Sequence, residues 1–172
     1  LRDLTTRASV LSGDFDRDDG STIDDPRSVI GFDENAYHVV VSAGSVGNAE
    51  LNGFVIRGGN ANGASAAYLP DLPDIPQQDG GGILTVASSP VLTQVYITAN
   101  TASGAGGGLA MLGQPGEYTI GGVLQDCHVF GNIAGQKGGG LFTYYAAPSL
   151  HAITIYRNCS LTEGGGIFIE NS

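Results

Sequence analysis

Acidic residues near the N-terminus have the spacing of a calcium-binding loop. Counting from Asp14, carboxylates fall at positions 1, 3, 5 and 12, with a glycine carbonyl at position 7 and a hydroxyl at position 9. Ca²⁺ takes six to eight oxygen ligands, and alternating acidic side chains can direct them at one point. Position 6 is Asp19 instead of glycine, and position 12 is an aspartate instead of the longer glutamate. The alternatives are a Ca²⁺ site and a solvated acidic loop. The predicted ligands are Asp14, Asp16, Asp18, Gly20, Thr22 and Asp25.

A second acidic stretch occupies residues 70–79. It contains three prolines, which are incompatible with a regular strand inside a sheet. Asp71 and Asp74 could form a pair of carboxylates for acid–base chemistry, but a stiff surface loop is the favoured interpretation.

Charge and glycine are divided unevenly along what we expect to be a single domain, residues 1–172. Residues 1–79 hold 18 of the 24 charged residues, and residues 80–172 hold 19 of the 28 glycines. The first part is therefore predicted to form acidic coils with long loops. The second part is regular enough to test for internal repeats.

Two patterns repeat in the second part. A Gly-Gly-Gly triplet followed by Ile or Leu begins at Gly80, Gly106, Gly138 and Gly164, at intervals of 26, 32 and 26 residues. Between the triplets runs Leu-x-x-apolar-x-apolar-x-x-Asn-x-small, beginning at residues 92, 124 and 150, with a weaker copy at residue 51. Each unit has short alternating β-type segments and no helical periodicity.

Units of this size cannot bury their own apolar face, whereas stacked units can. The repeats therefore predict an all-β parallel β-solenoid of about five coils, spaced ~4.8 Å apart along its axis. Equivalent asparagines would stack at one turn as a hydrogen-bonded ladder, because Asn can satisfy turn amides. The triplets would form tight bends between strands. The ladder residues are Asn100, Asn132 and Asn158.

Strand alternation predicts which side chains face outward. A stripe of stacked aromatic rings on the outer surface would be a sugar-stacking platform, a contact with another chain or a surface under a covering loop. Cys127 falls in an inward-facing column, so we expect a buried small side chain and no disulfide with Cys159. The predicted interaction face consists of Tyr96, His128, Phe130, Tyr156, Phe142 and Phe168.

Composition excludes several classes of protein. The formal charge of −10 is a poor match for nucleic acid or an anionic membrane. The glycines lack the three-residue period of collagen, and no apolar run of 18 residues could span a bilayer.

The segments 10–14, 35–40 and 51–61, together with the triplets, resemble a family. They are similar to the extracellular right-handed parallel β-helix proteins of bacteria, the pectin-lyase-like fold. The likeness is to the branch of surface and secreted proteins with polymorphic-outer-membrane-type Gly-Gly-Gly repeats. The resemblance implies a right-handed parallel β-helix at the cell surface or outside the cell. It implies little about activity, because this fold carries lyases, hydrolases, adhesins and scaffolds.

Catalytic groups are scarce on the repeats. Lyases of this fold need a cationic residue and neutralised carboxylates, and glycosidases need two or three carboxylates on one wall. The charged residues near the repeat strands, Asp126, Lys137 and Arg157, occupy different repeat positions. We therefore predict no catalytic residues, and the first hypothesis is a structural or adhesive module of a bacterial surface protein or self-assembling fibre. It would associate with copies of itself or with neighbouring solenoid modules through ends that carry no obvious cap. The alternative is a polysaccharide lyase, glycoside hydrolase or glycan-binding module.

Overall fold

The computed structural model describes residues 8–18, 20–21, 29–47, 49–68, 70–116 and 120–172. Within these ranges the chain consists of short β-strands and turns, and nothing there forms a helix that could cross a membrane. Most of the strands belong to four parallel sheets of five, five, four and four strands. The predicted parallel β-helix is therefore confirmed.

The repeated coil contributes one strand to each parallel sheet. The first sheet has the order β1-β6-β12-β16-β20 and the second β22-β18-β14-β10-β4. The third is β19-β15-β11-β5 and the fourth is β21-β17-β13-β7. The strands are β1 Ser9–Ser12, β2 Gly20–Ser21, β3 Val29–Ile30, β4 Val40–Ala43, β5 Glu50–Asn52, β6 Phe54–Arg57, β7 Asn60–Ala61, β8 Ala66–Ala67, β9 Ile75–Pro76, β10 Ile83–Val86, β11 Val91–Thr93, β12 Tyr96–Thr98, β13 Thr101–Ala102, β14 Leu109–Leu112, β15 Val123–Gln125, β16 His128–Phe130, β17 Ile133–Ala134, β18 Leu141–Tyr144, β19 Ser149–His151, β20 Thr154–Tyr156, β21 Cys159–Ser160 and β22 Ile167–Glu170.

The core is a column of apolar side chains along the solenoid axis. Equivalent residues of successive coils pair directly, as Ile56, Ile97 and Val129 do across the first sheet. All three side chains are fully buried, because alternation along each strand turns every second residue inward. Cys127 is a free, buried thiol in this column, as its register predicts, and Cys159 is free as well.

The predicted asparagine ladder is confirmed. The side-chain Nδ2 of Asn100 donates to Oδ1 of Asn132 at 3.0 Å, and Nδ2 of Asn132 donates to Oδ1 of Asn158 at 3.0 Å. The same Oδ1 atoms accept the backbone N–H of Asn100 and of Asn132, at 3.1 and 3.0 Å. The ladder therefore satisfies buried donors of two adjacent coils at once.

The glycine triplets do more than form the predicted bends. The first glycine of each has a positive φ, for example 66° at Gly106, which favours glycine. The middle glycine faces the backbone of the next coil: a Cβ added to Gly107 would lie 2.1 Å from the carbonyl oxygen of Ile133. The third glycine faces the ladder, and a Cβ on Gly108 would lie 2.8 Å from Nδ2 of Asn132. The triplet therefore lets one coil approach the next closely.

A hairpin covers part of the outer wall. Strands β8 and β9 pair antiparallel within the loop that leaves the solenoid after β7, and this pair is called the covering hairpin below. Ile75 of the hairpin belongs to one buried apolar cluster with Leu84, Ala110 and Phe142, which face outward from the second sheet. Phe142 is only 8% exposed within this cluster. Of the alternatives for the aromatic stripe, the surface under a covering loop therefore fits this residue, and a platform open to a sugar does not.

Candidate functional site

Four carboxylates converge at the N-terminal end of the solenoid. Asp14, Asp16 and Asp18 follow strand β1, and Glu34 approaches them from the chain that returns after β3. One oxygen from each lies within 4.8 Å of the others, and the four side chains are exposed or partly exposed. This group is called the acidic cluster below. Carboxylate oxygens at this spacing could ligate one hard divalent cation.

The bend after β1 is shaped by its own aspartates. The backbone N–H of Arg17 donates to Oδ1 of Asp14 at 2.5 Å, and the N–H of Asp18 donates to Oδ1 of Asp16 at 3.2 Å. Gly31 lies against Asp18, because a Cβ at Gly31 would come within 2.3 Å of its Oδ1. The turn therefore fixes the spacing of the three aspartates, and a glycine admits the returning chain.

The cluster agrees with part of the predicted ligand set. Asp14, Asp16 and Asp18 come together as the spacing predicts. Gly20 instead lies in strand β2, which pairs antiparallel with β3. Thr22 and Asp25 lie outside the described residues. The fourth carboxylate, Glu34, was missed, and local spacing carries no signal for it, because the pairing of β2 with β3 brings it back from 16 residues beyond Asp18.

Hydrogen bonding, lost hydration and the repulsion between carboxylates together raise two pKa values in the cluster. A hydrogen bond with the Asp16 side chain raises the pKa of Asp18, with smaller contributions from lost hydration and the charges of Asp16 and Asp14. For Glu34 the largest single influence is a backbone hydrogen bond that lowers the pKa. Lost hydration and the charges of Asp16 and Asp18 outweigh it, so the pKa of Glu34 is raised. One Glu34 oxygen, Oε1, is shielded from solvent without a hydrogen-bond partner.

The aromatic stripe on the first sheet forms as predicted. Tyr96 pairs in register with His128, and Phe130 with Tyr156, on strands whose alternate residues point inward. The Tyr96 and His128 ring centroids are 4.5 Å apart. The Phe130 and Tyr156 rings are stacked, with centroids 4.9 Å apart and planes inclined by 6°.

This stacking determines what the stripe can bind. A sugar ring packs on the face of an aromatic ring, but one face of Phe130 is occupied by Tyr156 and its edge region is near Tyr96. Phe130 therefore has one ring face that is closed to a sugar. The ring of Tyr156 has no described aromatic partner on the side facing away from Phe130.

The charged residues near the repeat strands lie in an ion pair or at solenoid corners. The Nζ of Lys137 donates to Glu170 at 2.8 Å and lies 4.6 Å from the ring centroid of Phe168, the last predicted interaction-face residue. That hydrogen bond is the main reason the pKa of Lys137 is raised. Asp126 and Arg157 occupy solenoid corners with positive φ of 53° and 52°. These three residues are not gathered at one site.

Together the sheets and the ladder define a parallel β-solenoid with an acidic cluster beside its first sheet. Comparison of the chain with protein-family models, curated proteins and solved structures finds no match.

Proposed function

We propose that this chain is a non-catalytic structural module of a β-solenoid, and that its C-terminal coil stacks on a further coil of the same kind. The observation that carries the proposal is the last glycine triplet. A Cβ on Gly139 would lie 2.2 Å from the carbonyl oxygen of Cys159. At the equivalent Gly165 the nearest atom is 3.3 Å away, and at Gly166 it is 3.6 Å away. Neither glycine has the positive φ that would otherwise favour glycine. A coil stacked on this face would require glycine at both positions.

The chemistry of the same face supports a β-coil as its occupant. Asn158 donates through Nδ2 to the carbonyl of Val129 at 2.9 Å, but among the described residues its N–H has no acceptor equivalent to those of Asn100 and Asn132. Tyr156 has an unstacked ring face, and Ile169 is 60% exposed. A coil with asparagine at the ladder position would satisfy the donor and cover the apolar side chains.

Appending one coil tests the proposal. A second copy of residues 147–172, placed directly after Ser172, keeps the 26-residue interval between the last two triplets. We expect the extended chain to have a larger free energy of unfolding and a steeper dependence on denaturant, because each coil interface adds stability. Equilibrium denaturation in urea measures both quantities.

Gly165→Ala is the matched control. In the extended chain it should abolish the gain in stability, because its Cβ would meet the added coil as a Cβ on Gly139 would meet β21. In the 172-residue chain it should change stability little. The proposal fails if the added coil brings no gain, or if Gly165→Ala leaves that gain intact.

Self-association through the same face belongs to this proposal, as does a location outside the cell or at a bacterial cell surface. Exposed parallel edges support the first, and the family resemblance alone supports the second. Sedimentation velocity over a range of concentrations should show association that Gly165→Ala suppresses. A monomer at every concentration would remove self-association from the proposal.

We further propose that the acidic cluster binds Ca²⁺. Four carboxylates whose oxygens converge within 4.8 Å support this, as does the shielded, unpaired Oε1 of Glu34. A divalent cation would offset the repulsion between carboxylates, which contributes to the raised pKa of Asp18 and Glu34 after hydrogen bonding and lost hydration. Its remaining ligands would be water and backbone oxygens.

Ca²⁺ should raise the melting temperature at neutral pH. A ligand present at a hundred times its Kd stabilises by about 2.7 kcal/mol. The Asp16→Asn/Asp18→Asn variant should lose this effect, whereas Asp71→Asn/Asp74→Asn, in the other acidic stretch, should keep it. Differential scanning calorimetry with Ca²⁺ or EDTA measures the shift, and an equal shift in both variants would contradict the assignment.

The pH dependence has a definite sign. Because the folded-state pKa values of Asp18 and Glu34 are raised, the folded chain takes up protons before the unfolded chain does. Without Ca²⁺, these two carboxylates therefore destabilise the folded chain less as the pH falls through their raised pKa values towards the ordinary pKa values of 3.8 and 4.5. Stabilisation by Ca²⁺ should fade over the same interval, since protons compete for the oxygens.

A further inference from the structure

The apolar core is open at both ends of the described solenoid. At the first coil, a cavity of about 510 Å³ is lined by residues of the core and its margin, among them Val40, Leu51 and Ile83. At the last coil, a smaller cavity of about 220 Å³ is lined by Leu141 and Ile169, among others. Apolar side chains are therefore uncovered at two opposite ends, and a surface that covers either end must itself be apolar.

The two ends carry the outer edges of the same two sheets. Strand β4 lies at one edge of the second sheet and β22 at the other, and both have four residues. Strands β1 and β20 are the edge strands of the first sheet. Among the described residues, none of these edges pairs with a further strand. Both sheets are parallel throughout, so a β22 strand added beside β4 would continue the second sheet in the same sense.

The register of the second sheet fixes which residues would meet. Through its successive strand pairs, Val40 is in line with Ile167, and Val41 is in line with Phe168. The last coil of one copy, placed on the first coil of another, would repeat this alignment. Val41 is 44% exposed and Ile167 is 39% exposed at the two open edges. Pairing would therefore bury apolar side chains of both copies.

The register of the first sheet adds a charged contact. Leu11 of the first coil is in line with Ile155 of the last, so Gly13 occupies the corner that Arg157 occupies in the last coil. In stacked copies, Arg157 of one copy would lie one coil spacing, about 4.8 Å, from Gly13 of the next.

The acidic cluster flanks this corner. The N–H of Ala36 donates to the carbonyl of Gly13 at 2.9 Å, so the excursion that carries the cluster begins and ends at Gly13. Asp14 directly follows Gly13, and Glu34 lies two residues before Ala36. The guanidinium group of Arg157 would face these carboxylates. A single Ca²⁺ would leave the four ionised carboxylates with a net negative charge, so the attraction holds with or without the cation.

We propose that the first coil receives the last coil of a second copy of this chain, with β22 beside β4, β20 beside β1 and Arg157 beside the acidic cluster. This inference rests on the proposed function, because it names the occupant of the C-terminal face that a further coil would cover. Asp14 follows Gly13 as Asn158 follows Arg157, so the carboxylate of Asp14 would accept the N–H of Asn158 at the end of the ladder.

Sedimentation velocity of the 172-residue chain in EDTA, over a range of concentrations, tests the interface. We expect species larger than a dimer, because each copy would offer both faces. Val41→Asp places a charge at the receiving edge and should weaken association about tenfold or more. Val123→Asp is the matched control, because Val123 faces outward on β15, away from the receiving edge. Circular dichroism checks that both variants fold. A monomer at every concentration, or equal effects of the two variants, would overturn the proposal.

A mixture of two variants shows which faces meet. Val41→Asp leaves the C-terminal face intact, and Gly165→Ala leaves the first coil intact. Neither variant should associate by itself, whereas an equimolar mixture should form a complex of one copy of each and nothing larger. A mixture without this complex would contradict the assignment of the two faces.

Arg157→Glu tests the charged contact. It should weaken association about fivefold or more, because it sets another carboxylate against the acidic cluster. Arg57→Glu makes the same change in net charge on the second coil, away from both ends, and should have a smaller effect. Equal weakening by both variants would contradict the contact between Arg157 and the cluster.

The appended coil separates this inference from the proposed function. If the appended coil stabilises the chain while the 172-residue chain stays monomeric, the proposed function stands and this inference fails. If copies associate but neither Val41→Asp nor Gly165→Ala reduces the association, another surface is used and this inference fails as well. An appended coil that brings no gain in stability would overturn the proposed function itself.

Discussion

Asn132→Ala will lower the free energy of unfolding by about 3–5 kcal/mol, a large part of the 5–15 kcal/mol typical of a whole domain. The side chain is fully buried and lies between two other ladder residues. Its Nδ2 donates to the carbonyls of Ile97 and Phe130 and to Asn158. Its Oδ1 accepts from the N–H and the side chain of Asn100. Alanine leaves these buried groups unpaired, and each such group costs about 1–3 kcal/mol.

Asn62→Ala is the matched control, because Asn62 is exposed and outside the ladder. Its effect should stay within about 0.5 kcal/mol. Urea denaturation followed by circular dichroism measures both variants. A loss below about 1 kcal/mol for Asn132→Ala would mean that the ladder contributes specificity of register more than stability.

Gly107→Ala will lower the free energy of unfolding by about 3 kcal/mol or more. If the loss exceeds the stability of the chain, the variant will not fold. The added Cβ would lie 2.1 Å from the carbonyl oxygen of Ile133 and 2.7 Å from that of Gly139. Both atoms belong to the backbone of the next coil. That backbone is held in place by the pairing of β17 with β13 and of β18 with β14. Overpacking against a movable side chain costs about 1–3 kcal/mol, and backbone moves less readily.

Gly165→Ala carries the same change at the equivalent position of the last coil. Its Cβ would have its nearest neighbour at 3.3 Å, so stability should change by less than about 1 kcal/mol. Thermal unfolding of the two variants side by side compares them under one condition. Similar losses in both would show that the backbone conformation, and not the approach of the next coil, requires the glycine.

The fold could be predicted because the same pattern of apolar residues and asparagine recurs in each repeat. Asn100, Asn132 and Asn158 each lie at the same distance in sequence from the inward apolar residues of their coil. A register error in one coil would therefore have disagreed with the other coils. Strand β10, Ile83–Val86, directly follows a glycine triplet and is one of the short β-type segments that each unit contains. The need for the middle glycine was not predicted, because it arises from contact between coils that lie far apart in sequence.

The candidate site could be predicted only for those residues that lie close together in the sequence. Asp14, Asp16 and Asp18 lie in one bend, so spacing alone brought them together. Glu34 depends on the antiparallel pairing of β2 with β3, and the cluster that contains Phe142 includes Ile75 of the covering hairpin. Both are non-repeating excursions whose return path has no periodic signal in the sequence.

The direction of the asparagine ladder has a consequence for assembly. The bonds between its side chains all run towards the C-terminal coil: Asn100 accepts from the N–H of Gly59 and donates to Asn132, and Asn132 donates to Asn158. The ladder is therefore polar, with an accepting end and a donating end. Two C-terminal faces brought together about a two-fold axis would set donor against donor and pair their strands in the wrong sense. Contacts that continue the ladder are heterologous, so the self-association proposed above would give an open filament instead of a closed symmetric dimer.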